Sequence, residues 1–224
     1  MFDYTYVILV LPMLILSMIA QANVNGTFKK YSRVFAVNRM TAAQAARRIL
    51  DSHGLHRVQI VRVSGNLTDH YDPTKEVLAL SETVFDSPSV AAIGVAAHEA
   101  GHAIQHAEAY LPVRIRSAIV PITQFGSKLS MPLVILGLIL GVYPLAYAGI
   151  LLFGTVAVFQ LVTLPTEFDA SRRAMAVLST GYLTDEERAG TRKVLTAAAL
   201  TYVAALFVSL ASLLRLILII NRRR

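Results

Sequence analysis

Three long apolar runs interrupt the polar pattern of the chain, and their lengths predict how often it crosses a bilayer. The first, residues 6–20, extends at both ends through uncharged residues and so approaches the roughly 20 residues that one membrane helix needs. Asp3, with no basic residue before the run, favours a retained anchor over a cleaved signal peptide. Residues 129–164 can form two short helices joined near 143–144, and residues 194–214 form a last run. The pattern therefore predicts four membrane segments.

Between these runs the chain has the shorter periodicities of a water-facing domain. An alanine-rich stretch that opens on Thr41 as N-cap predicts a helix. Alternating β-branched residues at 58–65 and the segment 77–81 predict two strands. The following "DSPSV" predicts a further helix, capped by Ser87 or Ser89.

The order of these elements predicts a mainly α, multi-pass membrane protein with a small β element, whose polar domain is contributed in two parts. The expected parts are an N-terminal membrane anchor at 1–22, the first part of a cytoplasmic domain at 23–117, a membrane hairpin at 118–164, the second part of that domain at 165–194, and a C-terminal membrane helix with a basic tail at 195–224.

The composition agrees with this organisation and limits the chemistry. Hydrophobic residues make up 55% of the chain and charged residues 16%, with a mean hydropathy of +0.55. The chain has no cysteine, so disulfides and thiolate ligands are excluded and any metal must be bound by His, Asp or Glu. The net charge of +7 is accompanied by no nucleic-acid-binding motif, so nucleic acid is not expected as a partner.

The basic residues also predict the orientation of the chain. Residues 23–116 contain eleven Lys and Arg and residues 165–193 contain five, so the positive-inside rule places both segments in the cytoplasm. The two crossings of the hairpin return the chain to the same side, in agreement with this placement. Four crossings would place the basic tail at 221–224 outside, against the rule. Either the apolar segment at 194–214 does not fully cross the membrane, or the basic residues of the longer polar segment, 23–116, determine the orientation.

The clearest chemical signal is "VAAHEAGHAIQHAEAY", residues 95–110. On a helix, His98 and His102 lie one turn apart and about 40° apart around the axis, so both imidazoles can reach one metal ion. Glu99 lies about 100° from His98, beside the metal, where it can accept a proton from an activated water. This spacing is the H-E-x-x-H pattern of zinc hydrolases.

The remaining ligands are less defined by the sequence. His106 continues the four-residue spacing, but three rings on one helix do not converge on a tetrahedron, so we expect it at the surface or beside the site. A third ligand must come from another segment, and the residues favour Glu167 over Asp169 without excluding Asp169. A closed structural site would take a fourth ligand, from His106 or Asp169.

Three motifs together resemble the YugP family of membrane zinc metallopeptidases: "LSETVFDSPSVAAIGVAAHEAGHAIQH", "GNLTDHYDP" and "LPTEFDASRRA". The chain is also similar, more distantly, to the HtpX-type membrane endopeptidases of the gluzincin group. These resemblances imply a zincin-like (gluzincin) domain with the H-E-x-x-H helix beside the membrane, in a bacterial cell membrane. Where the distant relatives have an aspartate that contacts a ligand histidine, this chain has Ser171, so that contact is expected from another residue such as Asp169.

The resemblance also implies an activity. His98, His102 and Glu167 would bind Zn²⁺, and Glu99 would be the general base of a membrane-embedded endopeptidase acting on a protein or peptide substrate. The alternative is a zinc-binding membrane scaffold or chaperone-like protein without activity. The strand at 77–81 is either an exposed edge that pairs with an extended substrate or an ordinary core strand.

Overall fold

The computed structural model describes residues 4–223 and is mainly helical, with one small sheet. A π-helical turn (Tyr6–Val10) leads into the first helix. The helices are α1 (Leu11–Tyr31), α2 (Ala42–Ser52), α3 (Glu82–Phe85), α4 (Val90–Ala107), α5 (Leu111–Ile139), α6 (Tyr143–Leu178) and α7 (Asp185–Arg223), and the strands are β1 (Gln59–Val63), β2 (His70–Asp72) and β3 (Val77–Ser81).

The chain divides into two compact units, each built from separate stretches of sequence. We call the first the membrane unit and the second the polar unit. The membrane unit comprises Met1–Gln21, Arg114–Pro165 and Leu200–Arg224, and the polar unit comprises Ala22–Val113 and Thr166–Ala199. Helices α1, α5, α6 and α7 each contribute residues to both units.

Four helices of the described chain are long and apolar enough to cross a membrane, as the apolar runs predict. In the membrane unit, α5 and α6 approach closely at glycines. A Cβ on Gly137 would lie 2.5 Å from the backbone nitrogen of Ala146, and one on Gly149 would lie 2.6 Å from the carbonyl oxygen of Ser130. A cluster that includes Val134 on α5, Ala146 on α6 and Leu216 on α7 forms the apolar core of this unit.

The sheet of the polar unit has the strand order β1-β3-β2. Strand β3 pairs in parallel with β1 and antiparallel with β2, so both of its edges are occupied. Leu78 and Leu80 are completely buried. The interpretation of β3 as an exposed edge strand is therefore wrong, and its interpretation as a core strand is correct. The edge that β1 leaves open is paired with β2, which is too short to be recognised in the sequence.

Helix α4 occupies the core of the polar unit. The hydroxyl of Ser89 accepts a hydrogen bond from the Ala92 backbone nitrogen at 3.2 Å, so Ser89, rather than Ser87, caps the helix. Half of the residues of α4 are alanine or glycine, which lets α2, α3 and the sheet pack closely around it. The result is a largely buried helix that carries polar side chains on one face only.

The N-terminus of α2 offers a test of the fold. Thr41 and Gln44 form a capping box, in which each side chain accepts a hydrogen bond from the other residue's backbone nitrogen. We expect Thr41→Ala to lower the stability by about 1 kcal/mol, because one amide at the helix start loses its acceptor. A thermal unfolding curve in detergent would measure this loss, and an unchanged curve would show that the cap contributes nothing.

Candidate metal centre

Helix α4 places two histidines of the H-E-x-x-H pattern side by side. The ring centroids of His98 and His102 are 4.7 Å apart, and the rings are nearly perpendicular. Each side chain is 15% exposed, so the pair lies near the surface of the polar unit without being fully solvated. The one-turn spacing therefore directs both rings to one place, as the sequence predicts.

Helix α6 brings a carboxylate to the same place. Glu167 Oε2 lies 3.2 Å from His98 Nε2 and 3.5 Å from His102 Nε2, and the Glu167 side chain is only 3% exposed. One ligand atom from each of the three residues lies within 4.8 Å of the others. We call His98, His102 and Glu167 the donor group; it combines residues 69 positions apart in the chain.

A glycine within the H-E-x-x-H pattern permits this approach of α6 to α4. A Cβ built on Gly101 would lie 2.7 Å from the carbonyl oxygen of Ala170, which is backbone and cannot turn away. Because Ala170 follows Glu167 by less than one turn, the contact at Gly101 also determines how far Glu167 reaches toward the histidines.

The second ring nitrogen of His98 is held by a residue of α6. Ser171 Oγ lies 3.1 Å from His98 Nδ1. The expectation that Asp169 replaces the relatives' aspartate here is therefore wrong for His98, since the serine at that position makes the contact itself. A proton on Nδ1 bound to this hydroxyl leaves the Nε2 lone pair for the metal.

The second ring nitrogen of His102 is held by Gln105, which sequence reasoning missed. Gln105 Oε1 lies 3.0 Å from His102 Nδ1, and Gln105 Nε2 donates to Asp169 Oδ2 at 2.9 Å. Asp169 in turn accepts from Arg173 Nε at 2.6 Å and forms an ion pair with Arg172. The only available signal was that Gln105 follows His102 by three residues, which places both on one face of a helix.

Two predicted alternatives lie outside the donor group. His106 is exposed at the end of α4, with its ring centroid 6.2 Å from that of Tyr71. Asp169 is buried and engaged with Gln105 and the two arginines. Among the described residues the donor group therefore has three members.

The carboxylates change the acid–base behaviour of His102. Burial disfavours its charged form, but the hydrogen bond with Glu167 and the negative charges of Glu99 and Glu167 outweigh this effect and raise the pKa of His102. Glu99 itself is 9% exposed. His102 therefore keeps its proton to a higher pH than a histidine side chain in water does.

The donor set fits zinc. Two imidazole nitrogens and one carboxylate oxygen are ligands that zinc prefers, and three protein ligands leave a position for water. Both histidines also have a partner at their other nitrogen, the arrangement that orients metal-binding imidazoles.

Helices that can cross a membrane and a partly buried His–His–Glu donor group together define a membrane protein with a candidate zinc site. Residues 6–221 match the family described as "Putative neutral zinc metallopeptidase", and the chain belongs to this family. The chain is 47% identical over 215 residues to "Putative membrane protease YugP" of Bacillus subtilis (strain 168), with 96% of each chain covered. These findings confirm the resemblance to the YugP family. No solved structure gives a significant match.

Gly101→Ala tests the contact between α4 and α6. The added Cβ must displace the Ala170 backbone, so we expect a loss of about 1–3 kcal/mol in stability and weaker zinc binding. Gly26→Ala is the matched control, because this helical glycine has nothing within 4 Å of its Cβ position. Thermal unfolding and chelator competition would measure both effects. Equal behaviour of the two variants would contradict the role of the contact.

The raised pKa of His102 predicts how zinc affinity depends on pH. Below that pKa the ring carries a proton that zinc must displace, whereas above it the lone pair is available. We therefore expect zinc affinity to fall at least about tenfold for each pH unit below the pKa of His102, since the proton on this ring competes with the metal. Competition with a chelator, corrected for the chelator's own protonation, measures this slope. A flat profile across the weakly acidic range would contradict it.

Proposed function

We propose that the protein is a membrane-embedded zinc endopeptidase with a gluzincin site, in which His98, His102 and Glu167 bind the metal. The observation that carries this proposal is the convergence of the three side chains from two helices, with Glu99 on the next position of α4. Membership of a zinc metallopeptidase family and similarity to a protein named as a membrane protease support it.

The roles of the side chains follow from their chemistry. Zinc held by the donor group would supply Lewis-acid polarisation of the scissile carbonyl and would activate water near neutral pH. Glu99 accepts the proton of the attacking water and then delivers it to the leaving amine. Ser171 and Gln105 keep the histidine rings oriented by bonding their second nitrogens.

We place the polar unit in the cytoplasm of a bacterial cell. This orientation is supported by the excess of basic residues at 23–116 and 165–193 and by the four apolar helices. With four crossings the tail at 221–224 would lie outside, so the larger basic segment would dominate the orientation. The substrate would then be a protein or peptide that reaches the inner face of the membrane.

The scaffold alternative requires a closed site with a fourth protein ligand. His106 and Asp169, the candidates for that role, have other surroundings in the described part of the chain. A donor group of three members and an adjacent glutamate therefore support the enzyme over the scaffold.

Glu99→Gln separates metal binding from catalysis. The amide has nearly the same shape but cannot accept the water's proton, so we expect one zinc per chain to remain while peptide hydrolysis falls by at least about 10²-fold. Zinc content by atomic emission and cleavage of a casein or an unstructured membrane-tethered peptide measure the two properties. Activity retained in this variant would remove Glu99 from the mechanism.

Zinc content also tests the donor group directly. We expect His98→Ala and Glu167→Ala to lose the metal after detergent purification, because two remaining ligands bind zinc too weakly to survive it. His106→Ala is the matched control: it removes a histidine from the same helix, outside the donor group, and should keep one zinc per chain. Metal retained in Glu167→Ala would mean that the third ligand is another residue, and no metal in the wild type would favour a function without zinc.

A further inference from the structure

A chain of hydrogen bonds extends from the donor group through the interior of the polar unit. Gln105 is completely buried, and its Oε1 lies 3.0 Å from His102 Nδ1. Its Nε2 donates both to Asp169 Oδ2, at 2.9 Å, and to the backbone carbonyl oxygen of Thr166, at 2.8 Å. Every polar atom of the Gln105 amide therefore has a partner.

The partners determine which way this amide points. The carboxylate of Asp169 and the carbonyl of Thr166 only accept hydrogen bonds, so the end of the amide that faces them must be the nitrogen. The Gln105 oxygen must then face His102, and an acceptor at this position requires a proton on His102 Nδ1. In the neutral ring this leaves the lone pair on Nε2, the nitrogen 3.5 Å from Glu167 Oε2.

Asp169 is itself prevented from rotating. Arg173 donates to it through Nε at 2.6 Å, and Arg172 forms a second ion pair with its other oxygen. Arg173 also bonds Glu108, near the C-terminus of α4, at 2.6 Å. The carboxylate is therefore a stationary acceptor for Gln105, and the ion pairs compensate its burial.

We propose that Gln105 is a positioning residue of the metal site: it selects the Nδ1–H tautomer of His102 and connects that ring to Asp169 and to the backbone beside Glu167. A single buried side chain thus holds ligands of both α4 and α6 in register. The proposal rests on the zinc site of the proposed function, but zinc affinity tests it without any measurement of proteolysis.

The test compares zinc affinity, by chelator competition in detergent, in variants of Gln105. Gln105→Met keeps the length of the side chain and removes all its hydrogen bonds, so we expect affinity to fall about 10–100-fold. Gln105→Glu keeps an oxygen acceptor for His102 Nδ1 but replaces the donor nitrogen by an oxygen that faces Asp169 and the Thr166 carbonyl, so we expect its zinc affinity to fall as well. Circular dichroism and size-exclusion profiles verify that both variants are folded.

Thr191→Val is the matched control for the loss of a buried hydrogen bond. Thr191 is completely buried, donates to the Val90 carbonyl oxygen at the start of α4 and contacts Gly94, away from the donor group. We expect this variant to lose stability with unchanged zinc affinity. A purely structural role for Gln105 would make Gln105→Met behave in the same way and would overturn the proposal.

A double-mutant cycle tests the connection to Asp169. If Asp169 acts through Gln105, Asp169→Ala lowers zinc affinity in the wild type but adds little in the Gln105→Met background. Fully additive effects would mean that Asp169 acts by another route and would overturn this part of the proposal.

The wild type alone provides a test that does not depend on folded variants. In zinc-loaded protein with ¹⁵N-labelled histidine, NMR should show His102 protonated at Nδ1 and coordinated through Nε2, and coordination through Nδ1 would overturn the proposal. If the wild type binds no zinc, the proposed function fails. If the wild type binds zinc and Gln105→Met binds it equally well, only the role of Gln105 fails.

Discussion

The candidate site depends on the contact between α4 and α6 at Gly101. The absence of a side chain there lets the backbone of α6 lie against the H-E-x-x-H turn, since even one carbon atom would meet the Ala170 carbonyl. Glu167 lies less than one turn of helix from this contact and reaches both imidazoles because the backbones are so close. The close packing of α4 against α6 therefore also determines the geometry of the donor group.

Such a site is costly to bury, and the surrounding residues show how the cost is met. Buried polar groups are destabilising unless they are hydrogen-bonded, and buried charges require partners. Ser171 and Gln105 bond the outer nitrogens of the two histidines, and Arg173 with Arg172 neutralises the Asp169 carboxylate. These residues orient the side chains of the donor group and are not themselves members of it. For this reason the polar residues nearest the histidines are not all candidate ligands.

The two units divide the chemistry of the chain. The membrane unit is built from apolar helices whose glycines permit close packing, whereas the polar unit contains the sheet, α4 and every residue of the donor group. The polar unit is built from two stretches of sequence that are separated by α5 and most of α6. The chain therefore passes through this hairpin between His98 and Glu167.

The sequence by itself determined the features that depend on neighbouring residues. Apolar runs of sufficient length predicted four membrane helices, Thr41 predicted the cap of α2, and the four-residue spacing of His98 and His102 predicted that their rings meet. Only the tertiary structure decided between Glu167 and Asp169 as the carboxylate beside the histidines, paired β3 on both edges, and revealed Gln105. The physical reason is that helical period and capping act over a few residues, whereas these choices depend on which backbone a distant helix or strand packs against.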